Sequence, residues 1–151
     1  MENEILAHIP HRPPFLLVDR IVEQSGNMIK TQKQVHADEP WFQGHYPGNP
    51  IMPGVLICES IFQSGAVLMA KLARTEGGPD FSDSSFPVIT RINNVKLRHA
   101  VVPGDLMEME VTLKEKVGPA WYLTGLARGI AERLRRAHLA WISDRRWRGR
   151  A

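Results

Sequence analysis

A single cysteine, Cys58, is the only thiol in this 151-residue chain, so no internal disulfide can brace it. That suits a reducing compartment, and the chain reads as cytoplasmic. No secretory leader is expected either: Met1-Glu2-Asn3-Glu4 is acidic and no apolar run follows it. The longest apolar stretch, near residues 55–73, is interrupted by Glu59, Gln63 and Lys71, which argues against a membrane span. No internal repeat, low-complexity segment, zinc-ligand spacing or RNA-binding aromatic motif is present. These absences leave a globular protein of one domain, large enough to bury a core without a structural metal. Its 43% hydrophobic and 23% charged content are ordinary for that class.

The charge is unevenly placed. Residues 1–127 hold 11 Lys/Arg against 14 Asp/Glu, whereas residues 128–151 hold eight Arg against two acids. A solvated basic tail explains this most simply. The alternative is an electrostatic handle for an acidic partner, with nucleic acid the weaker candidate. The folded domain is expected over residues 1–143, with residues 144–151 as the basic tail.

Residues 3–8 read as one helical turn capped by Asn3 and ended before Pro10. A strand at 15–23, a turn at Ser25-Gly26-Asn27 and a second strand at 28–36 read as a hairpin. Four prolines and three glycines between residues 38 and 54 exclude a long element there. Residues 54–73 carry no proline and are apolar on nearly every side, the pattern of a buried helix. Residues 75–85 have loop composition. Strands are expected at about 86–98, 105–116, 120–128 and 134–142. Residues 129–136 could also extend a helix, but Leu134, Ala137, Leu139 and Trp141 favour a hairpin. The order β-β-α-β-β-β-β sets one long helix against one antiparallel sheet, an α+β fold.

Chemistry is expected where the proline-rich loop meets the helix. A proline-rich loop is already restricted when unfolded, so holding a histidine such as His45 at a fixed angle costs little entropy. Alone, His45 could equally be a hydrogen-bonded structural residue. Glu59 lies among Val55, Leu56, Ile57, Cys58, Ile61 and Phe62, and glutamates are rarely buried unless paired or functional. It could instead point to solvent or cap a strand. If buried, it should favour its protonated form, and Gln63, one turn on, could hold it. Pro53-Gly54 opens the helix and presents free N–H groups and a positive dipole end, suited to a developing oxyanion. Gly54 also lets the backbone approach a ligand closely.

The run Phe42-Gln43-Gly44-His45-Tyr46-Pro47, then Pro50-Ile51-Met52-Pro53-Gly54-Val55-Leu56, then Glu59 and Gln63, resembles the signature of the (3R)-hydroxyacyl-[acyl-carrier-protein] dehydratases. Pro10-His11-Arg12-Pro13-Pro14-Phe15-Leu16-Leu17-Val18-Asp19-Arg20 extends the likeness upstream. Lys96-Leu97-Arg98 and Val102-Pro103-Gly104-Asp105 extend it downstream. The resemblance implies a hot-dog fold, an antiparallel sheet wrapped around a long central helix. It implies a homodimer with shared active sites, the histidine of one subunit meeting the glutamate of the other, and hexamers as trimers of dimers. Tyr46 departs from the usual phenylalanine, the 75–85 loop looks longer than usual, and the Arg-rich end has no counterpart.

On this reading His45 is the base and Glu59 the acid that turn a 3-hydroxyacyl chain on acyl carrier protein into a trans-2-enoyl chain. Gly54, Val55, Gln63, Met52 and Phe62 are the expected substrate-binding residues, with Ile61 lining an acyl tunnel. No cofactor or metal, nucleic acid or membrane is implied. Arg91, Lys96, Arg98 and the basic tail are candidates to meet the acidic carrier. A hot-dog thioesterase and a non-catalytic accessory subunit that binds acyl carrier protein are the alternatives.

Overall fold

The proline-rich run ends at Pro53, and the longest helix among the described residues begins at the next residue. The computed structural model describes residues 4–77 and 87–129 throughout, and the backbone of 138–142. Helix α1 spans Gly54–Thr75 and ends at Glu76, ahead of Gly77 with φ of +66°. Ile57, Cys58, Ile61, Val67 and Leu68 supply its buried apolar side, and Ser60, Ser64 and Gly65 keep that side thin. By length and composition α1 could cross a membrane, but more than half of it is buried within the chain as a core helix.

Among the described residues six strands form one antiparallel sheet: β1 (Arg20–Ser25), β2 (Met28–Gln34), β3 (Lys96–Leu97), β4 (Leu106–Val117), β5 (Ala120–Gly129) and β6 (His138–Ile142). Their spatial order is β1-β2-β4-β5-β6-β3. On β4, Met107, Met109 and Val111 alternate with Glu108 and Glu110, giving one buried and one wetter face. The buried face lies against α1. A Cβ on Gly65 would meet Leu123 and Val111 at ordinary contact distance, and one on Gly125 would collide with Ile61. Thr31 and Ser64 share a buried hydroxyl hydrogen bond of 2.6 Å between β2 and α1. Three register shifts, at Val22, Lys114 and Leu139, each insert one extra residue and so sharpen the twist.

This is the expected element order and the hot-dog architecture, with two corrections. The first strand begins at Arg20 rather than residue 15. The Leu17 N–H donates to the side chain of Gln63 on α1, and only from Asp19 onward does the backbone turn to β2. The second concerns residues 86–98, where only Lys96–Leu97 forms a strand among the described residues. Val88, Ile89, Ile92 and Val95 are all exposed, so the β-branched composition finds no sheet partner here. Asn3, most of the 75–85 loop, the join with Leu134 and Ala137, and the tail at 144–151 lie outside the described residues. The side chains of Leu139 and Trp141 do too.

A one-turn 3-10 helix, Glu4–Ala7, ties the N-terminus to the far end of α1. Ile5 is fully buried, Lys71 Nζ meets Glu4 Oε1 at 2.8 Å, and Arg74 donates to the Ala7 carbonyl. Residues 9–18 then run back along the helix, with Ile9, Leu17 and Val18 buried. That path brings His11 to Glu59 and the Phe15 carbonyl to Gln63.

Candidate active site

The loop that carries His45 is fixed at both ends. A 3-10 turn, Pro40–Gln43, starts on proline, and its Trp41 carbonyl accepts from the His45 N–H at 2.9 Å. At the other end the Met52 N–H donates to Val101 at 2.7 Å and the Met52 side chain is buried. The buried Lys33 reaches Glu39 at 2.7 Å, off the angle of a hydrogen bond, and Asp19 at 3.5 Å, which anchors the entry to the loop.

His45 Nδ1 lies 2.8 Å from the Ile51 carbonyl. A carbonyl only accepts, so Nδ1 carries the proton in the neutral ring and Nε2 keeps a bare lone pair. The Tyr46 ring stands edge-on to His45, with centroids 4.7 Å apart and planes at 76°. Tyr46 is left-handed, with φ of 55°, a conformation that costs a non-glycine residue about 1–3 kcal/mol. Such outliers persist where the surroundings enforce them, and this one adjoins the candidate base.

Glu59 is one-fifth exposed, so its burial is partial. Gln63 donates from Nε2 to Glu59 Oε1 at 2.9 Å and to the Phe15 carbonyl at 2.9 Å. Its Oε1 accepts from the Leu17 N–H at 2.8 Å, which identifies oxygen and nitrogen in the amide. The Glu59 oxygen facing Gln63 is therefore an acceptor, and a proton on the carboxyl belongs on Oε2. His11 Nε2 stands 3.6 Å from the same Oε1, too far for a hydrogen bond.

At the start of α1 the N-cap Pro53 offers no side-chain cap. The Gly54 and Val55 amides have no acceptor within the helix, as geometry requires of the first turn. Gly54 is half-buried beneath Leu97, while the Val55 side chain is 75% exposed.

The remaining expected residues fall into distinct settings. Met52 and Ile61 sit in the apolar core, and Phe62 is half-buried against it. Gln63 is fully buried, with its amide occupied inside the chain. Arg91, Lys96 and Arg98 are exposed. Among the described residues no three His, Cys, Asp or Glu side chains group as metal ligands. The contact of His11 with Glu59 and that of Lys33 with Glu39 escaped the sequence reading. His11 lies inside the Pro10–Arg20 motif, but its neighbour Glu59 is 48 residues away in sequence.

The family described as the FabA-like domain matches residues 9–135. A 3-hydroxyacyl-[acyl-carrier-protein] dehydratase FabZ from Anaeromyxobacter dehalogenans is 40% identical over 139 residues, 91% of this chain and 86% of the relative. The protein of the same name from Caulobacter vibrioides is 45% identical over 128 residues, covering 83% of this chain and 76% of the relative. Among solved structures, the dehydratase heterocomplex ApeI:P from Xenorhabdus doucetiae aligns with a TM-score of 0.72 at 16% identity. That alignment covers 91% of this chain and 87% of the other, a likeness of fold.

Proposed function

Because this chain belongs to the FabA-like family, we propose that it acts as a 3-hydroxyacyl-[acyl-carrier-protein] dehydratase, with His45 as base and Glu59 as acid. The observation that carries the assignment of roles is the His45 Nδ1–H bond to the Ile51 carbonyl, which leaves Nε2 free to take a proton. His45 Nε2 removes the proton on the carbon next to the thioester carbonyl, and negative charge grows on the carbonyl oxygen. The Gly54 amide and the positive end of α1 stabilise that oxygen. The electron pair closes the carbon–carbon double bond, the β-hydroxyl departs, and Glu59 Oε2–H supplies its proton. The products are a trans-2-enoyl chain and water, with no net redox change.

Glu59 of a second subunit serves each His45 in this reading. Its support is the exposed apolar row Val88, Ile89, Ile92, Val95 and Leu97, with Val55 on the helix start. Such a row is characteristic of a surface covered by a partner. The homodimer, and the cytoplasmic location suggested by the single unpaired cysteine, belong to the proposal. Val55 and Phe62 are its acyl-chain contacts, and Gln63 acts by holding Glu59. Exposed Arg91, Lys96 and Arg98 are its carrier-binding cations.

The test is an assay of the purified chain with 3-hydroxyacyl carrier protein, following enoyl absorbance and free thiol together. Enoyl formation without thiol release is expected, and His45→Ala should slow it roughly 10²–10⁴-fold. A His45→Ala protein working at the normal rate sinks the assignment. Thiol release in place of enoyl formation converts the reading to a thioesterase.

A further inference from the structure

Glu59 has a second neighbour that the mechanism above leaves idle. His11 Nε2 faces Glu59 Oε1 at 3.6 Å, and among the described residues no other charged or titratable side chain is in ion-pair contact with that carboxyl. The far ring nitrogen, His11 Nδ1, is buried without a hydrogen-bond partner among the described residues. The ring lies over Phe15, with centroids 6.3 Å apart and planes at 29°. The adjacent Arg12 turns elsewhere, its guanidinium donating to the carbonyls of Ile9, His11 and Leu6.

Either tautomer leaves Nδ1 without a partner, but only a proton on Nε2 sets a donor, rather than a second lone pair, against the Glu59 oxygen. The ring that fits therefore carries its proton on Nε2, directed at Glu59. Gln63 Nε2–H approaches the same oxygen. Oε1 is thus met by two groups that donate and cannot accept. A proton resting there would meet N–H on both sides. On Oε2 it meets neither.

We propose that His11 is a positioning residue for the acid: with Gln63 it makes Oε1 the carbonyl-like oxygen of Glu59 and holds the acidic proton on Oε2. The inference rests on the reading of Glu59 as the acid. The 3.6 Å separation is a pre-set approach, which shortens as charge develops on the carboxyl once Oε2 releases its proton.

The experiment compares His11→Phe, which keeps a ring against Phe15, with His11→Gln, which restores an N–H donor. Both are made in the full chain and assayed with 3-hydroxyacyl carrier protein. His11→Phe should lower kcat about tenfold with KM within about twofold, the loss of one hydrogen bond made to charge in the transition state. His11→Gln should recover most of that rate. In a Glu59→Gln background, His11→Phe should cost nothing further. A His11→Phe enzyme at wild-type kcat, a His11→Gln enzyme no faster than it, or additive losses overturn the proposal. A Glu59→Gln enzyme at full rate removes the acid reading, and this inference with it. A slow Glu59→Gln enzyme beside an unaffected His11→Phe enzyme removes only the inference. If His11→Phe does not fold, the ring ¹⁵N shifts of His11 in the wild-type protein decide. A proton on Nε2 supports the proposal and one on Nδ1 overturns it.

Discussion

Gln63 holds Glu59 with one hydrogen of an amide whose other positions are already committed. Its oxygen accepts from the buried Leu17 N–H, and its second hydrogen goes to the Phe15 carbonyl. The amide cannot flip without setting an N–H against Leu17 and an oxygen against the Glu59 carboxyl. The orientation of the candidate acid is thus locked to the backbone of the segment that crosses α1.

Gln63→Leu should therefore damage both stability and turnover. It orphans the Leu17 N–H and the Phe15 carbonyl, at a cost of about 2–4 kcal/mol together. Urea unfolding measures the stability loss, and kcat of the folded fraction should drop as Glu59 swings free. A variant within about 0.5 kcal/mol of wild type would show that water replaces these bonds.

Two glycines should respond differently to alanine. A Cβ on Gly125 would lie 2.1 Å from Ile61 Cγ2, on a β-branched core side chain that is 3% exposed. Ile61 has little rotamer freedom in a helix, so Gly125→Ala should cost about 1–3 kcal/mol. At Gly54 the clash is with the tip of Leu97, which is half exposed and can rotate away. Gly54→Ala should cost less than about 1 kcal/mol in stability. Equal losses in thermal melts would contradict this ordering.

Lys33 sits on β2, its side chain 6% exposed, between Asp19 and Glu39. Lys33→Met leaves the Glu39 carboxylate buried without its cation and should destabilise by about 3–5 kcal/mol. Replacing Lys33 and Glu39 together by Met should recover most of that loss, because the carboxylate left behind, Asp19, is 40% exposed and still accepts from the Gln34 N–H. Chemical denaturation of the three variants is the measurement. Additive losses would mean that the pair acts through packing alone.

Cys58 should be a poor nucleophile in the folded chain. Burial pushes its thiol pKa above the ordinary cysteine value. Between the unfolded and the folded value the native state holds the extra proton, so stability declines as pH rises through that alkaline window. Labelling by a thiol reagent at neutral pH should be slow, and should reach the free-cysteine rate only in denaturant. Rapid labelling of native protein would contradict the burial.

The buried helix at 54–73 and the proline-rich loop carrying His45 were legible from residues alone, as was the element order apart from the join at 129–136, where a helix competed with the hairpin. Proline, glycine and apolar periodicity act locally, within a few positions of where they stand. Strand limits at 15–19 and 86–95 were not legible, because composition marks β-prone residues without saying what they pair with. Phe15 and Leu17 answer to Gln63 on the helix instead of a neighbouring strand, and 87–95 lie exposed apart from the half-buried Asn93. Nor could the sequence orient the site. That His45 Nδ1 meets the Ile51 carbonyl, and that Gln63 and His11 converge on one oxygen of Glu59, are decided by contacts between distant segments. Hydrogen-bond direction depends on tertiary geometry, and local pattern does not encode it.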